Sequence, residues 1–300
     1  MTIDTHLTDY FDKNRERILD DYFALLRFPT ISSDIARLGD SARCATWLRQ
    51  YLRGLGFNAA IELADDQPLV IAERPGSANA PTVLFYGHYD VQPIEPREQW
   101  RSDPFEPVLV GERVYARGAQ DNKGQLFAFL TGVAALIASG APLPPLRIIL
   151  DSQEESGSGA LRKHLPSLKR RLAADILLVC DTGKHSSGRL AITAGLRGLA
   201  HLTVHLTGAS YDLHSGTHGG VAPNPALALT RMLATLHNAD GSIAVEGFYD
   251  RLVPLTEAER RQAMSLPFDP GAYQRETGTL PAGGERGLEP VERGSFRPTI

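Results

Sequence analysis

Short apolar runs alternate with segments of helical periodicity over the first 180 residues. Apolar positions at helical spacing predict helices over 7–27 and 41–55, and a strongly apolar stretch predicts a helix buried against a sheet over 125–138. A fourth helix is predicted over 161–172. Short apolar runs predict strands at 59–63, 69–73, 83–86, 146–150 and 176–180. The order of strands and helices predicts an α/β domain with a mostly parallel mixed sheet flanked by helices.

Three of the predicted strands run directly into acidic or histidine residues. The run at 83–86 is followed by His88 and Asp90, which face the same side if the backbone stays extended. The run at 146–150 leads to Glu154 and Glu155, and the run at 176–180 leads to Asp181. Ligands of α/β sheets bind outside the carboxyl ends of the strands, so these side chains are predicted to meet at one edge.

The remaining segments have weaker patterns. Prolines make 91–118 irregular, with a hairpin predicted from 108–110 and 113–115. Polar and apolar residues alternate at 200–206, which predicts an antiparallel strand with one solvent-exposed face. Pro225 is expected to start a helix over 226–234. After Gly241 little periodicity is left. This change of pattern predicts two domains, the first over 1–190 and the second, an α+β domain, over 191–300.

Composition narrows the class of protein. The 300 residues are 42% hydrophobic and 22% charged, and the formal net charge is −4, which does not favour a nucleic-acid partner. Two cysteines fit a reducing compartment. The N-terminus has no signal-peptide pattern, and no apolar run approaches the roughly 20 residues of a membrane span. A cytoplasmic protein without a membrane or nucleic-acid partner is expected.

The polar residues at the strand ends suit a metal site. One imidazole with several carboxylates, and no thiolate cluster, suits Zn²⁺, Mn²⁺ or Co²⁺. So many acids in one place require neutralisation, which a two-metal centre would provide. In the adjacent pair Glu154 and Glu155, one carboxylate can bind metal while the other serves as a general base. Taken alone, each motif also fits a solvated strand end or loop.

Together the motifs resemble the co-catalytic zinc peptidases of the aminoacylase, carboxypeptidase and dipeptidase family, especially carnosinase-like dipeptidases. The matching stretches occur in the family's order and span most of the chain. They are Tyr-Gly-His-Tyr-Asp-Val-Gln-Pro at 86–93, Asp-Pro-Phe-Glu-Pro at 103–107, Tyr-Ala-Arg-Gly-Ala-Gln-Asp-Asn-Lys-Gly at 115–124, Glu-Glu-Ser-Gly-Ser at 154–158, Asp181, Asp-Leu-His-Ser-Gly at 212–216 and Arg-Pro-Thr at 297–299.

The resemblance implies two divalent ions, with zinc expected before manganese or cobalt. It implies that 1–190 is a metal-binding catalytic domain and that 191–300 is part of a lid or dimerisation domain. It assigns metal ligands and catalytic residues separately. The implied ligands are His88, Asp121 and Asp181 for one ion, with Asp121 bridging to a second ion that Glu155 also holds. The implied catalytic residues are Glu154 as general base and acid, Asp90 behind His88, and His214 as the oxyanion-stabilising histidine of the lid.

The resemblance has three further implications. It implies a homodimer through the lid domain, in which His214 reaches the partner's site. It implies a cis peptide bond after Asp121. The aspartate at position 181 resembles the dipeptidase and aminopeptidase branch rather than the deacylase branch.

One feature departs from the family's pattern. The family's second metal has a histidine ligand near the end of the full-length chain, whereas the last histidine here is His237. We therefore expect a fragment or a truncated product, with a weakened second metal site.

The expected function is metal-dependent hydrolysis of dipeptides or short peptides. The alternatives are an N-acyl amino acid deacylase and an inactive member that acts only by binding.

Overall fold

The computed structural model describes residues 3–183, 192–193, 195–265 and 267–300. The chain divides into two compact units, Met1–Gly183 and Lys184–Ile300, which are described separately. The predicted boundary between functional domains at residue 190 stays a prediction.

The first unit contains a five-stranded mixed sheet with helices on both faces. Its described helices are α1 (Ile3–Leu26), α2 (Leu38–Gly54), α3 (Lys123–Ala138) and α4 (Gly159–Leu168). Its described strands are β1 (Asn58–Ala64), β2 (Gln67–Arg74), β3 (Val83–His88), β4 (Val108–Val110), β5 (Arg113–Tyr115), β6 (Leu146–Asp151) and β7 (Ile176–Val179). The predicted α/β class and the β4–β5 hairpin are confirmed.

Strand order brings the predicted strand ends together. The order is β1-β2-β6-β3-β7, with β3 parallel to both β6 and β7, and with β2 antiparallel to β1 and β6. In this register His88 at the end of β3 lies opposite Asp151 at the end of β6. The carboxyl ends of the three parallel strands therefore share one edge.

Alternation along β6 divides the core between the two faces. Ile148 and Leu150 pack into a larger core cluster with residues of α2 and α3, including Leu48 and Leu130. Ile149 points to the other face, where it packs into a second cluster that includes Leu161 of α4. Full burial of one such side chain contributes about 1.5–3 kcal/mol, which fixes the register that aligns the strand ends.

The prediction that the 176–180 strand is buried is wrong. β7 forms at Ile176–Val179, but its four side chains are between 37% and 63% exposed. It lies at one edge of the sheet, and among the described residues it pairs only with β3. An apolar run predicts a strand, but it does not report whether a neighbour covers that strand.

The described part of the second unit is helical. Its helices are α5 (Ser215–His218), α6 (Pro225–Ala234), α7 (Glu257–Met264), α8 (Pro270–Thr277) and α9 (Pro290–Phe296). The predicted helix at 226–234 is confirmed, with the Asn224 side chain capping the Leu227 N–H. Within the described residues, no helix is both long and apolar enough to cross a membrane.

One prediction for this unit is wrong. Residues 200–206 are exposed and form no strand, because their alternating pattern finds no ladder partner among the described residues. Helices α7 to α9 form where little periodicity was seen. Local caps explain α7 and α8: Thr256 and Glu259 form a capping box, and the Asp269 side chain accepts the Gly271 N–H. The β component predicted for this unit is limited, in its described part, to an isolated bridge between His237 and Ile243.

Candidate metal centre

His88 is a buried imidazole at the end of β3. Its Nδ1 lies 3.2 Å from Asp90 Oδ1, and Asp90 is also buried. A carboxylate at Nδ1 orients the ring and favours the tautomer whose Nε2 lone pair is free. The structure thus brings together His88 and Asp90, as the sequence pattern predicted.

The other ring nitrogen of His88 faces three carboxylates. Nε2 lies 3.3 Å from Asp121 Oδ1, 3.5 Å from Asp181 Oδ2 and 3.9 Å from Glu154 Oε2. This nitrogen is buried and forms no hydrogen bond with any described residue. One ligand atom from each of His88, Asp121 and Asp181 lies within 4.8 Å of the others. An imidazole and two carboxylates around a buried, unpartnered nitrogen fit a divalent cation.

The Asn122 side chain connects the end of β3 with the residues directly after β7. Its Oδ1 accepts the backbone N–H of His88 at 3.3 Å, and its Nδ2 donates to Asp181 Oδ1 at 2.9 Å and to the Cys180 carbonyl at 2.8 Å. The peptide bond between Asp121 and Asn122 is cis, as the resemblance implied. Sequence reasoning did not select Asn122, because its role depends on the spacing of β3 and β7.

Contacts with α1 and with the residues directly after it fix the loop that carries Asp121. The Tyr22 hydroxyl of α1 donates to the Ala119 carbonyl, and the buried Lys123 Nζ donates to the Phe28 carbonyl at 2.6 Å. The first turn of α3 passes so close that a Cβ at Gly124 would overlap the Ala119 carbonyl. These contacts fix a loop whose acidic side chain is largely exposed.

Asp90 also holds the turn that carries the glutamate pair. Its Oδ1 accepts the N–H of Glu154 and its Oδ2 accepts the N–H of Glu155, each at 3.1 Å. The Glu155 carboxylate accepts a hydrogen bond from Gln92 Nε2 at 2.7 Å. Gln92 was not selected from the sequence, where only its position two residues after Asp90 pointed to it.

Burial and the closeness of charged side chains shift the pKa values of Glu154, Glu155 and His88. Partial burial raises the pKa of Glu154, and the charges of Asp181 and Glu155 raise it further, against the opposing effect of His88. Partial burial also raises the pKa of Glu155, against the hydrogen bond from Gln92. Burial lowers the pKa of His88, but its contacts with Asp90 and the charges of Asp181 and Glu154 outweigh that effect and raise it to about 9. A metal ion would therefore compete with a proton at His88.

His214 belongs to the second unit. It precedes α5, where its Nδ1 accepts the Gly216 N–H at 3.1 Å, and its side chain is exposed. Its predicted role at the reacting carbonyl stays a prediction, as do the individual roles of the other site residues.

Comparison with known proteins supports the predicted resemblance. A rat Beta-Ala-His dipeptidase is 30% identical over 287 residues, which are 91% of this chain and 57% of that protein. A Saccharomyces cerevisiae Cys-Gly metallodipeptidase is 30% identical over 273 residues, which are 85% of this chain and 56% of that protein. This chain thus spans little more than half the length of these two relatives.

A solved structure gives the same result for the fold. The crystal structure of an M20 family metallo-carboxypeptidase from Sulfolobus solfataricus superposes with a TM-score of 0.76 at 28% identity, covering 94% of this chain and 64% of that one. The model of peptidase family M20/M25/M40 matches residues 84–275, a stretch that contains all the predicted metal ligands and catalytic residues. On this match, and in agreement with the motifs and the fold, the chain belongs to peptidase family M20/M25/M40.

Proposed function

We propose that the protein to which this chain belongs hydrolyses dipeptides or short peptides with the help of divalent metal ions. The observation that carries the proposal is the buried His88 Nε2, which has no hydrogen-bond partner in the part of the chain that the structure describes. It faces Asp121, Asp181 and Glu154. Relatives named as dipeptidases support the choice of substrate class.

The residues fit a set of metal ligands. His88, Asp121 and Asp181 would hold one ion, and Asp121 with Glu155 would face a second. The mixed nitrogen and oxygen donors suit Zn²⁺ first, with Mn²⁺ or Co²⁺ as alternatives. A divalent ion at this place supplies Lewis acidity to a water molecule and to the peptide carbonyl.

Glu154 is proposed as the group that moves the proton. Its carboxylate faces the same point as His88 Nε2, and no described side chain or backbone group donates a hydrogen bond to it. It can therefore accept a proton from the attacking water and deliver it to the leaving amine. Asp90 contributes by fixing the backbone of Glu154 and the ring of His88.

His214 would stabilise the oxyanion, reaching the site of the partner in a homodimer formed through the second unit. The two free cysteines, Cys44 and Cys180, agree with a cytoplasmic protein.

The test uses the product of the complete reading frame that encodes this chain. We expect Zn²⁺-dependent hydrolysis of β-Ala-His or Cys-Gly, lost after chelation and regained on adding metal. Glu154→Gln should lower kcat by roughly 10²–10⁴-fold while metal content stays unchanged. Glu112→Gln, at an exposed glutamate between β4 and β5, is the matched control.

Three outcomes would contradict parts of the proposal. Full activity of Glu154→Gln would exclude its role as general base. Hydrolysis of N-acetyl amino acids in preference to dipeptides would favour a deacylase. Bound metal without hydrolysis of either substrate class would favour a protein that acts only by binding.

A further inference from the structure

We propose that Gln92 is a positioning residue that gives the adjacent glutamates 154 and 155 different roles. It holds Glu155 in place for a metal ion and leaves Glu154 free for proton transfer. The proposal rests on the proposed function, since it concerns how the same metal centre is assembled.

Three alternate residues, the last of β3 and two that follow it, approach the glutamate pair. His88 Nε2 faces the Glu154 carboxylate at 3.9 Å. Asp90 takes the backbone N–H groups of both glutamates at 3.1 Å. Gln92 then donates its side-chain N–H to Glu155 Oε2 at 2.7 Å. Asp90 binds both backbone N–H groups at the same distance, so the two glutamates differ in their side chains: the Glu155 carboxylate accepts a hydrogen bond from Gln92, whereas the Glu154 carboxylate faces His88 Nε2.

The chemistry of the amide fits this role. Gln92 occupies Oε2 of Glu155 and leaves Oε1 without a hydrogen bond from any described residue, so that oxygen is available to a cation. A neutral donor orients the carboxylate without adding a positive charge that would repel a metal ion. Hydrogen bonds of this kind to ligating carboxylates raise metal affinity in other sites. Glu154 receives no such bond among the described residues, which keeps its carboxylate free to accept a proton.

The test measures binding of Zn²⁺ alone, by competition with a chromophoric chelator, on the product of the complete reading frame. Gln92→Met keeps the length of the side chain and removes the donor, and Gln92→Asn keeps the amide but shortens its reach. Both should weaken the second Zn²⁺ by roughly 10–100-fold and leave the first nearly unchanged. Gln99→Met is the matched control, since Gln99 is exposed and its side chain makes no hydrogen bond within the described chain.

The outcomes separate this proposal from the one on which it rests. Unchanged affinity for both ions in Gln92→Met, or equal weakening of both, would overturn the role of Gln92 alone. Weakening in Gln92→Met but not in Gln92→Asn would also contradict it, because the shorter amide should not reach Glu155. A wild-type protein that takes up no Zn²⁺ would overturn the proposed function and this inference with it.

Discussion

The Asp90 carboxylate accepts the backbone N–H of Glu154 at 3.1 Å, across 64 residues of sequence. The same carboxylate accepts the Glu155 N–H and lies beside His88 Nδ1. One buried acid therefore ties the end of β3 to the turn after β6. The proposed metal ligand His88 and the proposed base Glu154 are held by the same group, so a change at Asp90 should affect both.

Asp90→Asn is predicted to lower both stability and metal affinity. Asparagine offers one acceptor oxygen where three donors converge, so its amide must face an N–H group. A buried donor without an acceptor costs about 1–3 kcal/mol. Loss of the partner of a metal-binding histidine typically costs roughly 10–100-fold in metal affinity. Thermal unfolding and Zn²⁺ titration measure the two effects.

Asp175→Asn is the control for this change. Asp175 Oδ2 accepts the Thr82 N–H at 2.7 Å on the surface, where one acceptor oxygen is enough. The free energy of unfolding of Asp175→Asn should differ from that of the wild type by no more than about 0.5 kcal/mol. If Asp90→Asn had the same thermal stability and the same Zn²⁺ affinity as the wild type, Asp90 would not support both His88 and Glu154.

The burial of Asp151 predicts that its contribution to the stability of the fold decreases as pH rises. This residue is 1% exposed, and burial raises its pKa, against hydrogen bonds from the backbone of Gln153. Between the unfolded pKa near 3.9 and the raised folded pKa, the folded state binds more protons than the unfolded state. The contribution of Asp151 to the free energy of unfolding must therefore fall as pH rises through this window.

Asp151→Asn should remove that fall. The stability of the wild type relative to this variant is expected to decrease as pH rises from acidic to neutral, as measured by urea unfolding at a series of pH values. A difference that stays constant with pH would show that Asp151 ionises equally easily in both states. The comparison with the variant cancels the contributions of the other acids.

The sequence was enough to predict the strand ends but not the contacts behind them. Short apolar runs followed by His88, Asp90, Glu154 and Asp181 indicated the site, because parallel strands present their carboxyl ends at one edge. The roles of Asn122 and Gln92 could not be predicted. Their contacts join residues 34 and 63 positions away, and they exist only in the strand register that folding selects.

The errors outside the site have physical causes too. The apolar run of β7 predicts a buried strand, although burial depends on which elements cover the strand. Alternation at 200–206 suggested a strand, although a strand also needs a partner. The helix α7 could have been predicted, since Thr256 and Glu259 have the spacing of a capping box.

The exposed strand β7 is predicted to make the 300-residue chain self-associate. Leu177 is 63% exposed on an edge strand that pairs with no described strand other than β3, and such an edge can pair with another chain. Leu177→Lys should reduce self-association in sedimentation velocity without loss of folding. The control is Leu63→Lys in β1, the strand at the other edge of the sheet, where Leu63 is 67% exposed but the adjacent Ala64 is buried. An equal effect of the two variants would exclude β7 as the contact.

A network in the second unit predicts a large effect at Arg297. Its guanidinium donates to both carboxylate oxygens of Glu285, at 2.8 and 2.9 Å, and Glu285 is 9% exposed. The Tyr249 hydroxyl donates to the same carboxylate at 2.6 Å, and Arg297 lies over the Tyr249 ring. Arg297, which belongs to the Arg-Pro-Thr motif, is thus engaged in holding together segments of this unit.

Arg297→Met should destabilise the second unit by about 1–3 kcal/mol, because it leaves the Glu285 carboxylate without its charged donor. Hydrogen exchange of residues 243–249 and 285–297 measures the effect locally. Adding Glu285→Gln should restore part of the loss, since it removes the unpaired charge. Arg275→Met is the control: its partner Asp269 lies 3.7 Å away at the surface, and such exposed pairs contribute about 0–1 kcal/mol. If hydrogen exchange in Arg297→Met were as slow as in the wild type, the network would not stabilise this unit. Arg297 would then be free for a role with substrate.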